Sequence, residues 1–192
     1  MIAPARTYNL QGLATALTVM LVIDALAALA SLLTGPTQLL AALLTVPIMI
    51  VFLTWFYRAR QNAGYLDWPQ RRSAGWAIAS WIVPIGFLWF PYQIMIDIWR
   101  AGLPAGQRKT FAYLPAAWWA CWCVAWITAR PGTPAAGSHA QATGLVFDST
   151  KLSLAFGAAA AVLLALIVRQ VSAGPVGSVW AGFSGPAPAR SR

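Results

Sequence analysis

The sequence predicts an all-α protein, a polytopic membrane helical bundle of four spans with a proline-broken re-entrant or interfacial hairpin; the alternative is five spans. Composition is the first indication, because 59% of the 192 residues are hydrophobic and only 9% are charged, whereas soluble domains carry about 25% charged residues. The mean hydropathy of +0.65 agrees with this. Long apolar runs also alternate with short basic or proline- and glycine-containing segments, which is typical of spans and loops.

The first two spans are predicted from uninterrupted apolar runs. Residues 10–33 are enough to cross about 30 Å of hydrocarbon. The length of this run and the presence of Asp24 argue against a cleaved signal peptide. The second span covers residues 38–57, and its helix continues to Asn62, with Gly64 as the stop signal.

The hairpin is predicted for residues 74–102, because Pro84 and Pro91 interrupt helical hydrogen bonding. They leave two pieces of roughly ten residues, each reaching only about 15 Å, half of the hydrocarbon thickness. In the second piece, polar side chains recur at i, i+4 and i+7, the pattern of an amphipathic helix: Gln93, Asp97 and Arg100.

Two further spans are predicted at residues 111–129 and 152–171, separated by a polar segment at residues 131–150. Residues 1–171 are therefore expected to form a single membrane-embedded helical domain. Residues 172–192 are rich in Gly, Pro, Ser and Ala and offer little to bury, so the sequence predicts a disordered C-terminal tail.

The distribution of Arg and Lys favours four spans. If residues 74–102 enter and leave the membrane on one side, with the N-terminus in the cytoplasm, eleven basic residues are cytoplasmic and two are outside. If the segment crosses, the division is seven against six. Because cytoplasmic loops are enriched in Lys and Arg, both termini are expected in the cytoplasm. The excess of Arg over Lys, with abundant Ala, is typical of a GC-rich genome and indicates a bacterial cytoplasmic membrane.

A recurring pattern of Trp, Arg, Asn and Pro lies between residues 52 and 102. It reads L-x-W-x-x-R-A-R-x-N from Leu53, then G-W-x-x-x-x-W-x-x-P from Gly75, L-W-x-P-Y-Q from Leu88 and I-W-R-A from Ile98. With the Trp pair of the following span, it resembles a family of small bacterial multi-pass membrane proteins with a domain of unknown function.

The resemblance covers roughly residues 40–128. It implies membrane location and a helical fold but no activity, because none is attached to the family. One departure is visible, since this chain has Phe90 where the family often has a polar or basic residue.

Two carboxylates are candidates for chemistry, Asp24 and Asp97. Asp24 lies near the middle of the first span, where an ionised Asp costs about 2.5–3.5 kcal/mol on insertion scales. It is therefore expected to be paired, protonated or facing a polar interior. Either residue is a candidate proton carrier or general acid, while the preferred interpretation of Asp24 is an interhelical hydrogen bond.

A polar cluster is predicted where the second span meets the hairpin: Arg58, Asn62, Asp97 and Arg100. Arg58 and Asn62 share a helix face because they are four residues apart. Pairing of Arg58 with Asp97 would hold the hairpin on the bundle, which is the preferred interpretation. The alternative is a site for a lipid headgroup phosphate or pyrophosphate.

An aromatic stripe is predicted at i, i+4 and i+8 of the span at residues 111–129, formed by Trp118, Trp122 and Trp126. Such a stripe is suited to line a pocket for a polyprenyl or sterol-like lipid. Packing surface is the more common use of such residues and is preferred here.

No catalytic signature such as GxSxG, a Walker motif or HExxH is present. With Cys121, Cys123 and a single loop histidine, His139, neither a metal site nor a cofactor is expected. The net charge of +9 is assigned to topology and anionic lipid headgroups, and no nucleic-acid partner is expected.

Two hypotheses about function remain open, and whether the protein is an enzyme is undecided by the sequence. In the preferred one, the protein is a non-catalytic accessory component that binds membrane lipids, another membrane protein or a second copy of itself. In the other, it is an intramembrane enzyme or small transporter for an apolar isoprenoid or lipid substrate, with an Asp as proton donor or acceptor. An enclosed cavity reaching Asp24 or Asp97 and lined by the Trp stripe would favour the second.

Overall fold

The computed structural model describes residues 7–34, 38–66, 69–83, 86–104, 106, 113–129 and 149–184. Within these ranges the chain is all-helical and has no strand, which confirms the predicted fold class. The described ranges contain seven α-helices and one 3₁₀ turn, Gly86–Leu88. In chain order the helices are α1 (Gln11–Thr34), α2 (Gln38–Ala63), α3 (Trp76–Ala79), α4 (Phe90–Ala101), α5 (Tyr113–Thr128), α6 (Ser149–Ala173) and α7 (Pro175–Ser184).

Three helices in the described ranges are long and apolar enough to cross a membrane. They contain the segments Gln11–Ser31, Leu43–Ala63 and Lys151–Ala173, with mean hydropathies of 2.2, 1.3 and 2.2. The sequence predicts apolar helices at these three places. Helix α5, also expected as a span, has 16 residues and extends about 24 Å at ~1.5 Å per residue.

Helix α6 lies between α1 and α5 and packs closely along both. Ala161 and Ala165 are buried in it, and small residues of this kind allow helix backbones to approach each other. On α1, Leu17 and Leu21 continue a buried stripe at helical spacing. Other faces of the long helices expose large apolar side chains, for example Ile50 of α2 at 61%, as expected for surfaces that contact lipid.

Residues 74–102 do not form one continuous helix. Helix α3 has only four residues, and α4 begins at Phe90 with Pro91 in its first turn, where the missing N–H is tolerated. Each described helical piece is far shorter than the ~20 residues that a spanning helix needs. The prediction of a broken segment is therefore confirmed, although Pro84 itself lies outside the described residues.

The two ends of this segment lie at the same end of the bundle. At its start, the carbonyl of Arg72 accepts a hydrogen bond from Arg60, in the last turn of α2. At its end, Gly102 lies against Val176, whose carbonyl accepts a hydrogen bond from Asn62, also in the last turn of α2. The segment therefore leaves the C-terminal end of α2 and returns to it, which is the path expected of a hairpin.

The C-terminal segment differs from the prediction, because residues 172–173 complete α6 and residues 175–184 form α7. Val176 and Gly177 are buried there. A Cβ atom at Gly177 would lie 1.8 Å from the carbonyl oxygen of Ser172, so the close turn between α6 and α7 requires glycine. The predicted disordered tail is wrong over 172–184, since composition does not reveal the long-range contacts that order this segment; residues 185–192 lie outside the described ranges.

Candidate functional site

Most of the described polar side chains with long-range contacts meet at one end of the bundle, here called the polar end. It contains the residues that precede α1, the C-terminal end of α2, the loop after α2, helix α4 and the junction of α6 with α7. The segments are residues 7–11, 58–63, 69–73, 90–102 and 169–178.

Asn62 is fully buried and connects three parts of the polar end. Its Oδ1 accepts a hydrogen bond from the backbone N–H of Tyr8 at 2.9 Å. Its Nδ2 donates to the carbonyl of Tyr8 at 2.8 Å and to the carbonyl of Val176 at 2.9 Å. An amide offers both donors and an acceptor, so Asn62 ties the start of α1 and the start of α7 to α2.

Ser172, at the end of α6, provides a second connection and joins α6 to α1 and α2. The indole Nε1 of Trp55 donates to its hydroxyl at 3.0 Å, and the side chain of Gln11 donates to its carbonyl at 2.8 Å. Trp55 is fully buried, one of the largest such side chains among the described residues. A buried indole N–H needs an acceptor, and the end of α6 supplies it.

Asp97 lies buried in α4, with its side chain only 2% exposed. Its Oδ2 accepts a hydrogen bond from the backbone N–H of Arg71 at 3.1 Å, and its Oδ1 lies 3.7 Å from the Nε of Arg71. The buried guanidinium of Arg60 adds a further positive charge near this carboxylate. A buried charge is tolerated when it is compensated in this way, so Asp97 anchors the loop after α2 onto α4.

Arg72, the next residue of that loop, is held by aromatic rings. Its guanidinium carbon lies 3.3 Å from the centre of the Phe90 ring and 5.4 Å from that of Trp76. Its Nε donates to Gln93 at 3.3 Å. Phe90 therefore provides a cation–π surface for a neighbouring arginine.

The predicted polar cluster is divided in the structure: Arg58, Asn62, Asp97 and Arg100. The guanidinium carbon of Arg58 lies 5.2 Å from the centre of the Tyr8 ring, while Asp97 pairs with Arg71. The predicted pairing of Arg58 with Asp97 is wrong, because the loop after α2 folds back over α4 and brings Arg71 to the carboxylate. Arg100 lies half-buried near the end of α4.

Sequence reasoning misses four residues that hold the polar end together: Tyr8, Arg60, Arg71 and Ser172. The sequence does draw attention to Arg60 and Arg71, because both lie beside the loop after α2, where arginines accumulate. A count of charges, however, explains these arginines by membrane topology and does not reveal their contacts. Tyr8 and Ser172 carry none, because their partners Asn62 and Trp55 are 54 and 117 residues away in sequence.

The predicted aromatic stripe is present on α5 and faces the middle of the hairpin, here called its tip, where Trp81 and Phe87 lie. Trp122 and Trp126 lie parallel, with ring centres 6.4 Å apart, and Trp118 is buried. Trp81 meets Trp122 edge to face at 5.6 Å, and Phe87 contacts both Trp122 and Trp126 at 5.3 and 5.5 Å. The space beside the stripe is thus occupied by rings of the hairpin, which makes it a packing surface.

Two grooves lie one after the other between α1 and α6. The groove nearer the polar end, here called the polar groove, has a volume of about 400 Å³ and combines apolar surface with five polar residues: Gln11, Thr15, Thr18, Arg169 and Ser172. The second groove, of about 530 Å³, is apolar and lined by Ala25, Leu26, Leu29, Ala158, Ala159, Val162 and Leu163. Asp24, Asp97 and the Trp stripe line neither groove.

Asp24 lies in α1 at a level between the two grooves and is half-buried. Among the residues that the structure describes, its carboxyl group has neither a hydrogen-bond nor an ion-pair partner. The interhelical hydrogen bond preferred from the sequence is not formed there. Asp24 and Asp97 therefore differ in how their carboxyl groups are paired: that of Asp97 binds Arg71 in the loop after α2, and that of Asp24 has no partner among the described residues.

Cys121 and Cys123 are free thiols on α5. Within the described ranges, no group of three His, Cys, Asp or Glu side chains is placed to hold a metal ion.

The fold belongs to the class of helical proteins with helices long and apolar enough to cross a membrane. Its sequence matches the family profile described as a domain of unknown function, DUF4328, over residues 20–173. The chain belongs to this family, which agrees with the resemblance stated above. No curated protein and no solved structure matches the chain, so its function has to be inferred from its residues.

Proposed function

We propose that the protein is a non-catalytic, multi-pass component of a bacterial cytoplasmic membrane that binds membrane lipid or another membrane protein. One observation carries this proposal: two of the polar side chains that first suggest chemistry, Asn62 and Asp97, are used to hold the chain together. Asn62 makes three hydrogen bonds to backbone groups, and Asp97 binds the loop after α2. A catalytic acid or base would have to keep an atom accessible to a substrate.

The aromatic stripe supports the same proposal. A pocket for an apolar substrate requires a concave space lined by such rings, but Trp122 and Trp126 are in contact with Trp81 and Phe87. Neither of the two grooves between α1 and α6 reaches the stripe or Asp97. Packing within the protein accounts for these rings without a bound substrate.

The proposed orientation places the polar end at the cytoplasmic leaflet. The described arginines lie mainly at this end, which contains Arg58, Arg60, Arg71, Arg72, Arg100 and Arg169, whereas Lys151 lies at the start of α6, at the opposite end. Anionic headgroups attract such a basic surface by about 1 kcal/mol per Lys or Arg. Four spans and a re-entrant hairpin, with both termini in the cytoplasm, follow from this orientation.

Cysteine labelling tests the orientation. Single cysteines at Ser73 and Gln107, in a background lacking Cys121 and Cys123, are expected to react with a membrane-impermeant maleimide from the cytoplasmic side only. Labelling of the two positions from opposite sides of the membrane would establish that residues 74–102 cross it, and the four-span proposal would fail.

Comparison of lipid extracts tests the absence of catalysis. A strain lacking the protein is expected to show no pair of lipids in which one accumulates as the other disappears. A reciprocal change of that kind, reversed by the wild-type protein but not by a folded Asp97→Asn variant, would identify an enzyme and overturn the proposal.

A second candidate function is favoured by Asp24. Its carboxyl group has no partner in the described part of the chain and lies within a candidate span, Gln11–Ser31. An unpaired acid at that depth is typical of proton relays and transporters. Under this alternative, Asp24 carries a proton during transport or modification of an apolar substrate, and substitution by Asn abolishes the activity.

A further inference from the structure

The two grooves between α1 and α6 follow one another along the same helix pair, and polar residues line the first but not the second. The polar groove is lined by α1 residues between Gln11 and Val19 and by α6 residues between Arg169 and Ala173. The apolar groove is lined by α1 between Ala25 and Leu29 and by α6 residues 158–163. The two helices are therefore antiparallel: the start of α1 lies beside the end of α6, and the later part of α1 lies beside the middle of α6.

The distance between the grooves corresponds to one leaflet. Their midpoints are separated by roughly 12 residues of α1, about 18 Å at ~1.5 Å per residue. Half of the hydrocarbon thickness is about 15 Å. A molecule with its polar group in the first groove therefore places its apolar part in the second, near the bilayer midplane.

The polar groove contains a cation suited to a phosphate. Arg169 is exposed, and the acidic side chains in the described part of the chain, Asp24 and Asp97, are not paired with it. Gln11 and Thr15, which also line this groove, are exposed as well. A phosphate group in the groove would therefore reach the guanidinium of Arg169 with polar side chains beside it.

We infer that the α1–α6 face binds one anionic phospholipid of the cytoplasmic leaflet. Its phosphate lies at Arg169, and one acyl chain lies along the apolar groove beside Leu26 and Ala159. Charge complementarity selects an anionic over a zwitterionic lipid, because Arg169 has no ion-pair partner among the described residues. This inference rests on the proposed function, since it needs α1 and α6 in the bilayer with the polar end at the cytoplasmic leaflet.

Binding of a defined lipid to the full-length protein tests the inference. Purified protein in a mild detergent is titrated with dioleoyl phosphatidylglycerol, dioleoyl phosphatidylcholine or glycerol phosphate, and bound molecules are counted by native mass spectrometry. Phosphatidylglycerol is expected to bind in a one-to-one complex and more tightly than phosphatidylcholine. Glycerol phosphate, which lacks acyl chains, is expected not to bind; equal binding of glycerol phosphate would overturn the assignment of a lipid.

Matched variants locate the site on each groove. Arg169→Gln is expected to weaken phosphatidylglycerol binding about fivefold, the effect of one interfacial cation, whereas Lys151→Gln removes one charge at the far end of α6 and changes it less than twofold. Ala159→Leu fills the apolar groove and should weaken binding, while Ala155→Leu, outside the groove, should not.

Three outcomes would overturn the inference. The first is equal affinity of the Arg169→Gln and Lys151→Gln variants for phosphatidylglycerol. The second is an unchanged affinity in Ala159→Leu. The third is a change of oligomeric state alone in Ala159→Leu, which would make the face a contact between copies of the chain. Retained melting temperatures show that each variant is folded. None of these outcomes affects the proposed lack of catalysis, which the lipid extracts test separately.

Discussion

The polar end and the α1–α6 face differ in how far their polar side chains are used within the chain. At or beside the polar end, Asn62, the Oδ2 atom of Asp97 and the indole of Trp55 have hydrogen-bond partners inside the chain. On the α1–α6 face, the half-buried Asp24 and the exposed Arg169 have neither a hydrogen-bond nor an ion-pair partner among the described residues. The first set of side chains therefore contributes to stability, whereas Arg169 is left available to bind something else.

The largest effect on stability is expected from the contacts that Trp81, a residue of the hairpin, makes with the rest of the bundle. Trp81 makes edge contacts with the rings of Phe52, Phe87, Trp119 and Trp122. Because Trp81 is half-buried, Trp81→Ala is expected to lower the free energy of unfolding by about 3–4 kcal/mol, toward the lower end of the range for truncation of a large aromatic side chain. Denaturant unfolding in detergent, followed by Trp fluorescence, measures it.

Trp89→Ala is the control for that substitution, because Trp89 is 57% exposed and its ring contact is with Tyr92. Similar losses in the two variants would mean that the hairpin tip does not contribute specifically to the fold.

A smaller effect is expected from Asn62→Leu, which breaks the connection between α2 and the starts of α1 and α7. Three backbone groups lose their partner, at about 1 kcal/mol each or more, so a loss near 3 kcal/mol is expected. Gln61→Leu, at the neighbouring half-buried position, should change stability by less than about 0.5 kcal/mol. An Asn62→Leu protein as stable as wild type would contradict the structural role of the polar end.

Asp97 distinguishes a structural from a functional carboxylate. Asp97→Leu leaves the backbone N–H of Arg71 without an acceptor and Arg60 without its nearby negative charge, at an expected cost of about 1–3 kcal/mol. Asp97→Asn keeps an acceptor and should be tolerated better. Melting temperatures of both variants in detergent provide the measurement, and identical values for wild type and both variants would refute a structural role.

The helices were predictable from sequence because they depend on local features. The long apolar run of α1 and the prolines that break residues 74–102 act over a few residues, and the structure has helices and a break at those places. Asn62 and Asp97 were also recognisable as important, since a polar group within an apolar run needs a partner.

The partners of these residues were not predictable, because they come from distant parts of the chain. Asn62 bonds Val176, 114 residues away, in a segment whose composition resembles a disordered tail. Asp97 pairs with Arg71 rather than Arg58 because of how one loop folds back, which charge and spacing do not encode. The grooves depend on two helices separated by more than a hundred residues.

Asp24→Asn is expected to have the smallest effect and tests the central claim, a non-catalytic role, most directly. The measurement is complementation of a strain lacking the protein, with membrane level and melting temperature determined for the same variant. An amide cannot exchange a proton as a carboxyl group does, but it keeps similar size and polarity. The account predicts normal folding and full complementation. A folded Asp24→Asn protein that fails to complement would contradict it and identify Asp24 as a proton carrier.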